Sequence, residues 1–524
     1  MRNFILITGL VAVLVCGCKH KPTICLHLPT TPPLAGTGHE VSNSSATVAE
    51  RPEKLSFPPL NYEPPSAADS RVQLKSGPVA YVVPDRTLPL VNIAVYVRTG
   101  QYLEPAGKEG LAELTGWLLA HGGAGKNTAE QMEERLAFLA ADLGADIGDT
   151  QGDVSLNLLS KDLDEGLGIL RDVVYAPHFQ DDKITLRKQQ LLQEMKQRND
   201  DSAGIEGREK VMLAFGENFW MNHHSTAASL DSITRNDIES FHRKWFSPQN
   251  FVIAVSGDFD RTEIISKLEK VFASWPFAGD LGIIRIPLSI PTNTVFCAPG
   301  IYLVNKPDVN QGRVSMFLPG IQRDNPDFYA VTIMNDILGG GGFTSRILNR
   351  VRSDEGLAYS AGSRCSGGVY FPLTFTALFQ SKSRTVAYAT SIVLEELKKI
   401  KDAPVTDGEL NIAKRAYIER FPRSFATKAQ VAGVLASEEF TGRYATDPLF
   451  WKNYRTKIAA VTVEDVQRVA KKYLTLEKLA ILVVGNKDEI LLGHPNHPVK
   501  LEEVGGKITD LPLRDPLTMK PMVK

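Results

Sequence analysis

The chain has 524 residues, 43% hydrophobic and 23% charged, with a formal net charge of −1 at pH 7. That length exceeds what one core can organise and implies two to four domains of ordinary globular composition. The balanced charge excludes the electrostatic footprint of a nucleic-acid-binding protein, or of a domain held to an anionic membrane by charge alone.

Arg2 precedes an apolar run from Phe4 to Val15, which ends in Cys16-Gly17-Cys18. A charged start, about a dozen apolar residues and a small residue before the cut describe a secretory signal rather than a spanning helix. Val15-Cys16-Gly17-Cys18 is similar to a bacterial lipobox, with Cys18 as the lipidated first residue of the mature chain. Cys16 is the poorer candidate because bulky Val15 precedes it, and an ordinary signal peptide or single anchor helix is the alternative reading. The expectation is a signal over residues 1–18 and a chain anchored by lipid in the bacterial cell envelope, facing the periplasm. Lys19 resembles the outer-membrane sorting signal of the enterobacterial scheme. Residues 19–72 contain nine prolines among many Ser and Thr, a composition that buries no core and reads as a disordered tether. Beyond the lipidated cysteine only Cys25, Cys297 and Cys365 remain, too few for a disulfide scaffold. A Cys297–Cys365 bridge is neither required nor excluded.

Regular structure is expected from Gln73. Val79–Val83 and Val91–Val97 are β-rich runs split by Pro84-Asp85-Arg86, a hairpin pattern. Helical periodicity follows over Gly110–Leu119, Ala129–Leu143 and Leu163–Val174. Lys183–Arg198 and Arg235–Trp245 read as further helices, and Asn250–Ser256 as a buried strand.

The second half repeats the first. Ile233–Asp258 aligns with Val461–Asn486 at a constant offset of 228. The alignment pairs Thr234 with Thr462, Asp237 with Asp465, Trp245 with Tyr473 and Gly257 with Gly485. Val314–Gly320 likewise mirrors Ile93–Gly100. Helix-then-strand units in register argue for internal duplication. Pro287, Pro291 and Pro299 mark the boundary, giving halves over 73–285 and 286–490 and a C-terminal tail over 491–524. The fold class is α+β, two duplicated halves, each a mixed or antiparallel sheet layered with helices.

Three stretches then carry a resemblance: LPLVNIAVYVRTGQYLEPAGKEGLAEL, FHRKWFSPQNFVIAVSGD and LGGGGFTSRILNRVRSDEGLAYSAGS. Together they resemble the pitrilysin/insulinase (inverzincin) metallopeptidases over nearly the whole chain after the tether. In that family a helix bears His-x-x-Glu-His: two histidines one turn apart bind zinc, and the glutamate between them activates its water. Aligned on Gly110-Leu111-Ala112, the first histidine position is Glu113, the base position Gly116 and the second histidine position Trp117. The distant glutamate ligand matches Glu194 in LLQEM. Glycine is no base and tryptophan no ligand, and two carboxylates without imidazole or thiolate partners hold zinc poorly. No cofactor is expected in this chain, and Trp117 is expected to fill the vacated pocket.

RSDEGLAY, Arg352 to Tyr359, matches the family's second-half Arg/Tyr pair, which the resemblance makes a substrate-binding clamp. Both side chains donate hydrogen bonds suited to a peptide carbonyl and a developing oxyanion. Gly339–Gly342 lacks the Lys-Ser/Thr of a phosphate loop and reads as a helix end that lets a peptide approach the backbone. His223-His224 and His494-x-x-His497 lie among loop residues and read as solvated or structural. The resemblance implies a non-catalytic, substrate-binding subunit of a heteromeric zinc peptidase acting on extended peptides outside the cytoplasm. Alone it is expected to be inactive, with zinc in a homologous partner subunit. The alternative is a structural or binding homologue with no role in proteolysis.

Overall fold

The computed structural model describes residues 61–273, 275, 292 and 294–522. Cys18, Cys25, the signal and most of the tether lie outside these residues, as does most of the connection near Pro287 and Pro291. Two six-stranded sheets dominate. The first holds β1 (Arg71–Gln73), β2 (Val79–Pro84), β3 (Leu90–Val97), β4 (Asp142–Ile147), β5 (Gly152–Leu159) and β6 (Phe251–Gly257), in the order β1-β2-β6-β3-β5-β4. The second holds β7 (Gly300–Asn305), β8 (Gln311–Pro319), β9 (Ala358–Cys365), β10 (Thr374–Lys382), β11 (Ala480–Gly485) and β12 (Ile508–Leu511), in the order β12-β7-β11-β8-β10-β9. In each sheet one inner pair is parallel, β2 with β6 and β7 with β11, and the run out to β4 or β9 is antiparallel. The molecule is therefore built from two duplicated α+β halves.

The expected β2–β3 hairpin does not form, because β6 lies between the two strands. All seven residues of β6 are buried, and a strand apolar on both faces belongs in the middle of a sheet. The helix expected over Ala129–Leu143 ends at Phe138. Ala140 takes a left-handed φ of 48°, and the chain turns there into β4. The duplicated helices Arg235–Trp245 and Val463–Tyr473 start alike. Thr234 Oγ1 accepts from Asp237 N at 3.2 Å and Thr462 Oγ1 from Asp465 N at 3.1 Å, each with the reciprocal aspartate bond back to the threonine N–H.

Each sheet has one face covered by helices of its own half and the other covered by a helix from the opposite half. Ser202–Phe215 crosses to the second sheet, where Ile205, Ala214 and Phe215 pack with Phe317, Leu482 and Val484. Lys428–Phe440 crosses to the first, where Val431, Leu435 and Phe440 pack with Tyr81, Val252 and Ala254. A carboxylate pins each crossing helix to its host. Glu206 accepts from Arg313 Nε at 2.7 Å and Ser315 Oγ at 2.6 Å. Glu439 accepts from Arg71 Nε and Nη2, each at 3.0 Å, and from the Tyr81 hydroxyl at 3.0 Å.

Both ends of the described chain depart from expectation. Ordered backbone starts ahead of Gln73: Tyr62 packs edge-on against Phe421 at 6.0 Å, and Ala67–Ser70 is a helical turn. The expected tail contributes β12, parallel to β7, and then returns to the first half. There Leu517 O accepts from Ala227 N at 2.8 Å, and Arg514 Nε lies 3.2 Å from Glu209. Neither end shows local periodicity; their partners are far away in sequence. Cys297 and Cys365 are free thiols, and burial pushes Cys365 up to about 12.

Candidate functional site

The helix carrying the altered zinc motif runs Leu111–His121 and lies against the edge strand β4. Gly110, at φ 99°, turns the chain into it. Glu104 Oε1 accepts from Ala112 N at 2.7 Å and from Gly110 N at 3.1 Å, satisfying the open N–H groups of the first turn. Burial pushes the Glu104 carboxyl up to about 7 against the pull of those bonds.

Glu113, Trp117 and Glu194 are brought together by a residue the sequence reading missed, Arg187. Its guanidinium donates to Glu113 Oε1 at 2.8 Å and to Glu194 Oε1 at 3.0 Å, and its Cζ lies 5.8 Å from the centre of the Trp117 ring. A guanidinium thus joins the two carboxylates that the family pattern would turn toward a metal. Burial raises the Glu113 carboxyl, with Arg187 opposing that shift. Trp117 is half-buried rather than core, and stacks on His121 with ring centres 4.3 Å apart. At Gly116 a Cβ would stand 2.5 Å from Ile147 N and 2.8 Å from Asp146 C. The glycine at the base position is what allows helix and edge strand to touch, so a glutamate has no room there. These residues do not fit a zinc ion. Among the described residues no group of three or more His, Cys, Asp or Glu is placed to hold a metal. Arg187 was legible only as a cation seven residues before Glu194 on the same helix face.

Arg352 and Tyr359 meet in the second half. Arg352 sits in a π-helical turn, Asn349–Asp354, a widening that recurs at functional sites. Tyr359 lies on β9, whose outer side ends the sheet. The Arg352 Cζ lies 4.8 Å from the centre of the Tyr359 ring and 4.8 Å from that of Phe343. Both rings stand in solvent, Tyr359 83% and Phe343 68% exposed. Among the described residues the Arg352 guanidinium has no hydrogen-bond or ion-pair partner, so the rings orient a cation whose donors are unspent. Phe343, just past the glycine run, carried no signal of this contact. Among the described residues Arg352 and Tyr359 make no hydrogen bond or ring contact with Glu113, Trp117 or Glu194.

The glycine run serves a different neighbour from the one expected. A Cβ at Gly339 would lie 2.4 Å from Ser363 N, and one at Gly362 would lie 2.7 Å from Gly339 O. The close approach is to the chain's own strand β9. Of the remaining histidines, His497 stacks on Tyr388 with ring centres 3.9 Å apart. Burial and the nearby Arg198, Arg208 and Arg514 push His224 down to about 4.

Two family models match the chain: "Insulinase (Peptidase family M16)" over residues 81–214 and "Peptidase M16 inactive domain" over residues 232–417. The chain is 24% identical over 330 residues to an uncharacterised zinc protease of Streptomyces coelicolor, covering 60% of this chain and 68% of that one. It is 22% identical over 406 residues to the mitochondrial-processing peptidase subunit beta of Lentinula edodes, covering 76% and 85%. Among solved structures, a peptidase M16 inactive domain from Pseudomonas fluorescens superposes with a TM-score of 0.69 at 24% identity, covering 79% of this chain and 97% of that one. A protease from Helicobacter pylori superposes with a TM-score of 0.68 at 19% identity, covering 79% and 98%. At these identities the structural likeness speaks for the fold alone.

Proposed function

Because the chain belongs to the insulinase family, peptidase family M16, and resembles its non-catalytic members, we propose that it is a substrate-binding subunit which completes the site of a zinc-bearing homologous partner. It holds extended peptides by strand addition at β9, where main-chain hydrogen bonds supply affinity. Arg352 and Tyr359 donate to the carbonyl of the held peptide and to the negative charge that develops on its oxygen. Zinc chemistry belongs to the partner. The single observation that supports this reading best is the unpartnered Arg352 guanidinium, oriented by two exposed rings beside the Tyr359 end of the edge strand β9. A buried or ion-paired arginine there would suit a scaffold better. The reading includes a lipid anchor at Cys18 and action outside the cytoplasm.

The test is reconstitution with a homologue from the same organism that carries His-x-x-Glu-His. This chain alone should bind no stoichiometric zinc and cleave no unstructured peptide. In the complex, Arg352→Ala with Tyr359→Phe should lower kcat about a hundredfold or more, the scale of losing oxyanion donors. Assembly, followed by gel filtration, should be unchanged. Undiminished turnover would remove the catalytic-partner reading and leave a structural or binding homologue.

A further inference from the structure

In the first half a cavity of about 360 Å³ opens between the segment leading into the helix Leu111–His121 and the turn that holds Trp220. That is the size of a small-ligand pocket. Among the described residues its ionic walls are two carboxylates, Glu104 and Glu109, with His223 beside them and no lysine or arginine. Tyr102 and Trp220 supply aromatic surface, their ring centres 5.9 Å apart and their planes tilted by 60°.

Neither carboxylate is balanced. Glu104 holds the helix start through Oε1, and its Oε2 meets only Gly110 N, at 3.2 Å. Glu109 Oε1 accepts from Gly107 N at 2.8 Å, and Oε2 accepts no hydrogen bond among the described residues. Among them neither glutamate is in an ion pair. Burial pushes the Glu104 carboxyl up to about 7 against its backbone bonds, and the Glu109 charge adds to the rise. Carboxylates crowded into a part-buried cavity are better satisfied with a cation between them. A second group is unsatisfied in the opposite sense. Trp220 is only 8% exposed, and among the described residues its indole N–H finds no acceptor.

The ligand that answers both needs brings a cation and, close to it, an acceptor. A primary ammonium offers three donors to the carboxylate oxygens, and aromatic faces attract it. A carbonyl on the carbon that bears the ammonium supplies the acceptor for the indole. A free amino acid has the same ammonium, yet Glu104 and Glu109 repel its carboxylate. We propose that the cavity binds the free amino terminus of a peptide, with the ammonium on Glu104 and Glu109 and the first carbonyl accepting from Trp220. Reading the ligand as a peptide rests on the peptide-holding role proposed above. The cavity adds a substrate class, chains with an unblocked amino end, and does so in the half that lacks the Arg352 clamp.

The experiment is calorimetry on the full chain at about pH 7, where α-amines are mostly protonated. The probes are leucyl-alanine amide, its N-acetyl form, leucine, and isopentylamine, which is leucine without its carboxyl group. The free amide should bind about tenfold tighter than the acetylated one, the scale of a charge-assisted pair, and tighter than leucine. Glu104→Gln and Glu109→Gln should each remove that preference, with melts near wild type because a glutamine oxygen still caps the helix. Glu109 holds no helix end, so Glu109→Gln decides alone if Glu104→Gln unfolds the chain. Trp220→Phe should weaken the amide about fivefold and leave isopentylamine unchanged, a split that lost packing does not produce. Arg352→Ala should leave all these affinities as they are. Equal binding of free and acetylated amides, a preference that survives the glutamate substitutions, or no binding by any probe would overturn the amino-terminal site. None of these outcomes touches the Arg352 clamp, which fails separately if its own variants leave the turnover of the reconstituted complex undiminished.

Discussion

Arg187 holds two carboxylates from different helices in one bidentate grip, with its guanidinium near the Trp117 ring. Replacing it with methionine keeps the aliphatic bulk and strands Glu113 in a half-buried position. Arg187→Met should therefore destabilise the fold by about 1–3 kcal/mol, the usual cost of leaving such a group unpaired. Adding Glu113→Gln should recover part of that loss. Denaturant melts of the single and double variants read this directly, and equal melts for wild type and Arg187→Met would show the grip to be idle. His242 makes a second residue-level case. It is buried, its Nε2 lies 3.0 Å from Val174 O, and burial pushes it down to about 4. The folded value lies below the unfolded one, so the unfolded chain binds more protons between them. The stabilisation is complete above about pH 6.5 and is lost as pH falls toward 4, on the order of 3 kcal/mol at most. His242→Gln should flatten the loss of stability between pH 6.5 and 4 in urea titrations. The sequence revealed that Glu113, Gly116 and Trp117 break the zinc pattern, because that pattern is local to one helix. It did not reveal Arg187 or Phe343, because their roles depend on distances across helices and loops.

At the scale of elements, the repeat was legible because each copy carries its own start signal. Thr234 and Thr462 cap equivalent helices through reciprocal bonds to Asp237 and Asp465. Thr234→Ala and Thr462→Ala should each cost about 1 kcal/mol, and the double variant about the sum, since the two sites share no partner. A large non-additive term in thermal melts would mean that the two helices are coupled. The misread elements fail for one reason. The hairpin over Pro84-Asp85-Arg86 was inferred from adjacency in sequence, yet β6, far down the chain, enters between its strands. The short strand β12 is recognisable only beside β7. The Ala129–Leu143 periodicity ran on past Phe138 because the turn at Ala140 has no glycine or proline to announce it.

For the whole molecule, the exchange of helices decides what can fold alone. Without Lys428–Phe440 the first sheet exposes Tyr81, Val83, Val252 and Ala254, and without Ser202–Phe215 the second exposes Phe317, Leu482 and Val484. Fragments cut in the connection, one ending at residue 275 and one starting at 294, should each bind an apolar dye and lack a sharp melt. Refolded together, they should regain one cooperative transition in calorimetry. Independent cooperative melting of either fragment would refute this account of the halves. The fold class was legible in advance because duplication and alternation are properties of the chain. The exchange was not, since both crossing helices read as ordinary amphipathic segments.

The crossing of Lys428–Phe440 also sets a timetable. The first sheet has all its strands once β6 emerges from a ribosome or a translocation pore, yet the helix that seals its second face is encoded about 180 residues later. At about 5–20 residues per second, that face stays open for about 10–40 s. During this interval the nascent first half presents a ready apolar sheet to whatever holds unfinished chains, and the final packing of the oldest part of the protein waits on nearly its newest.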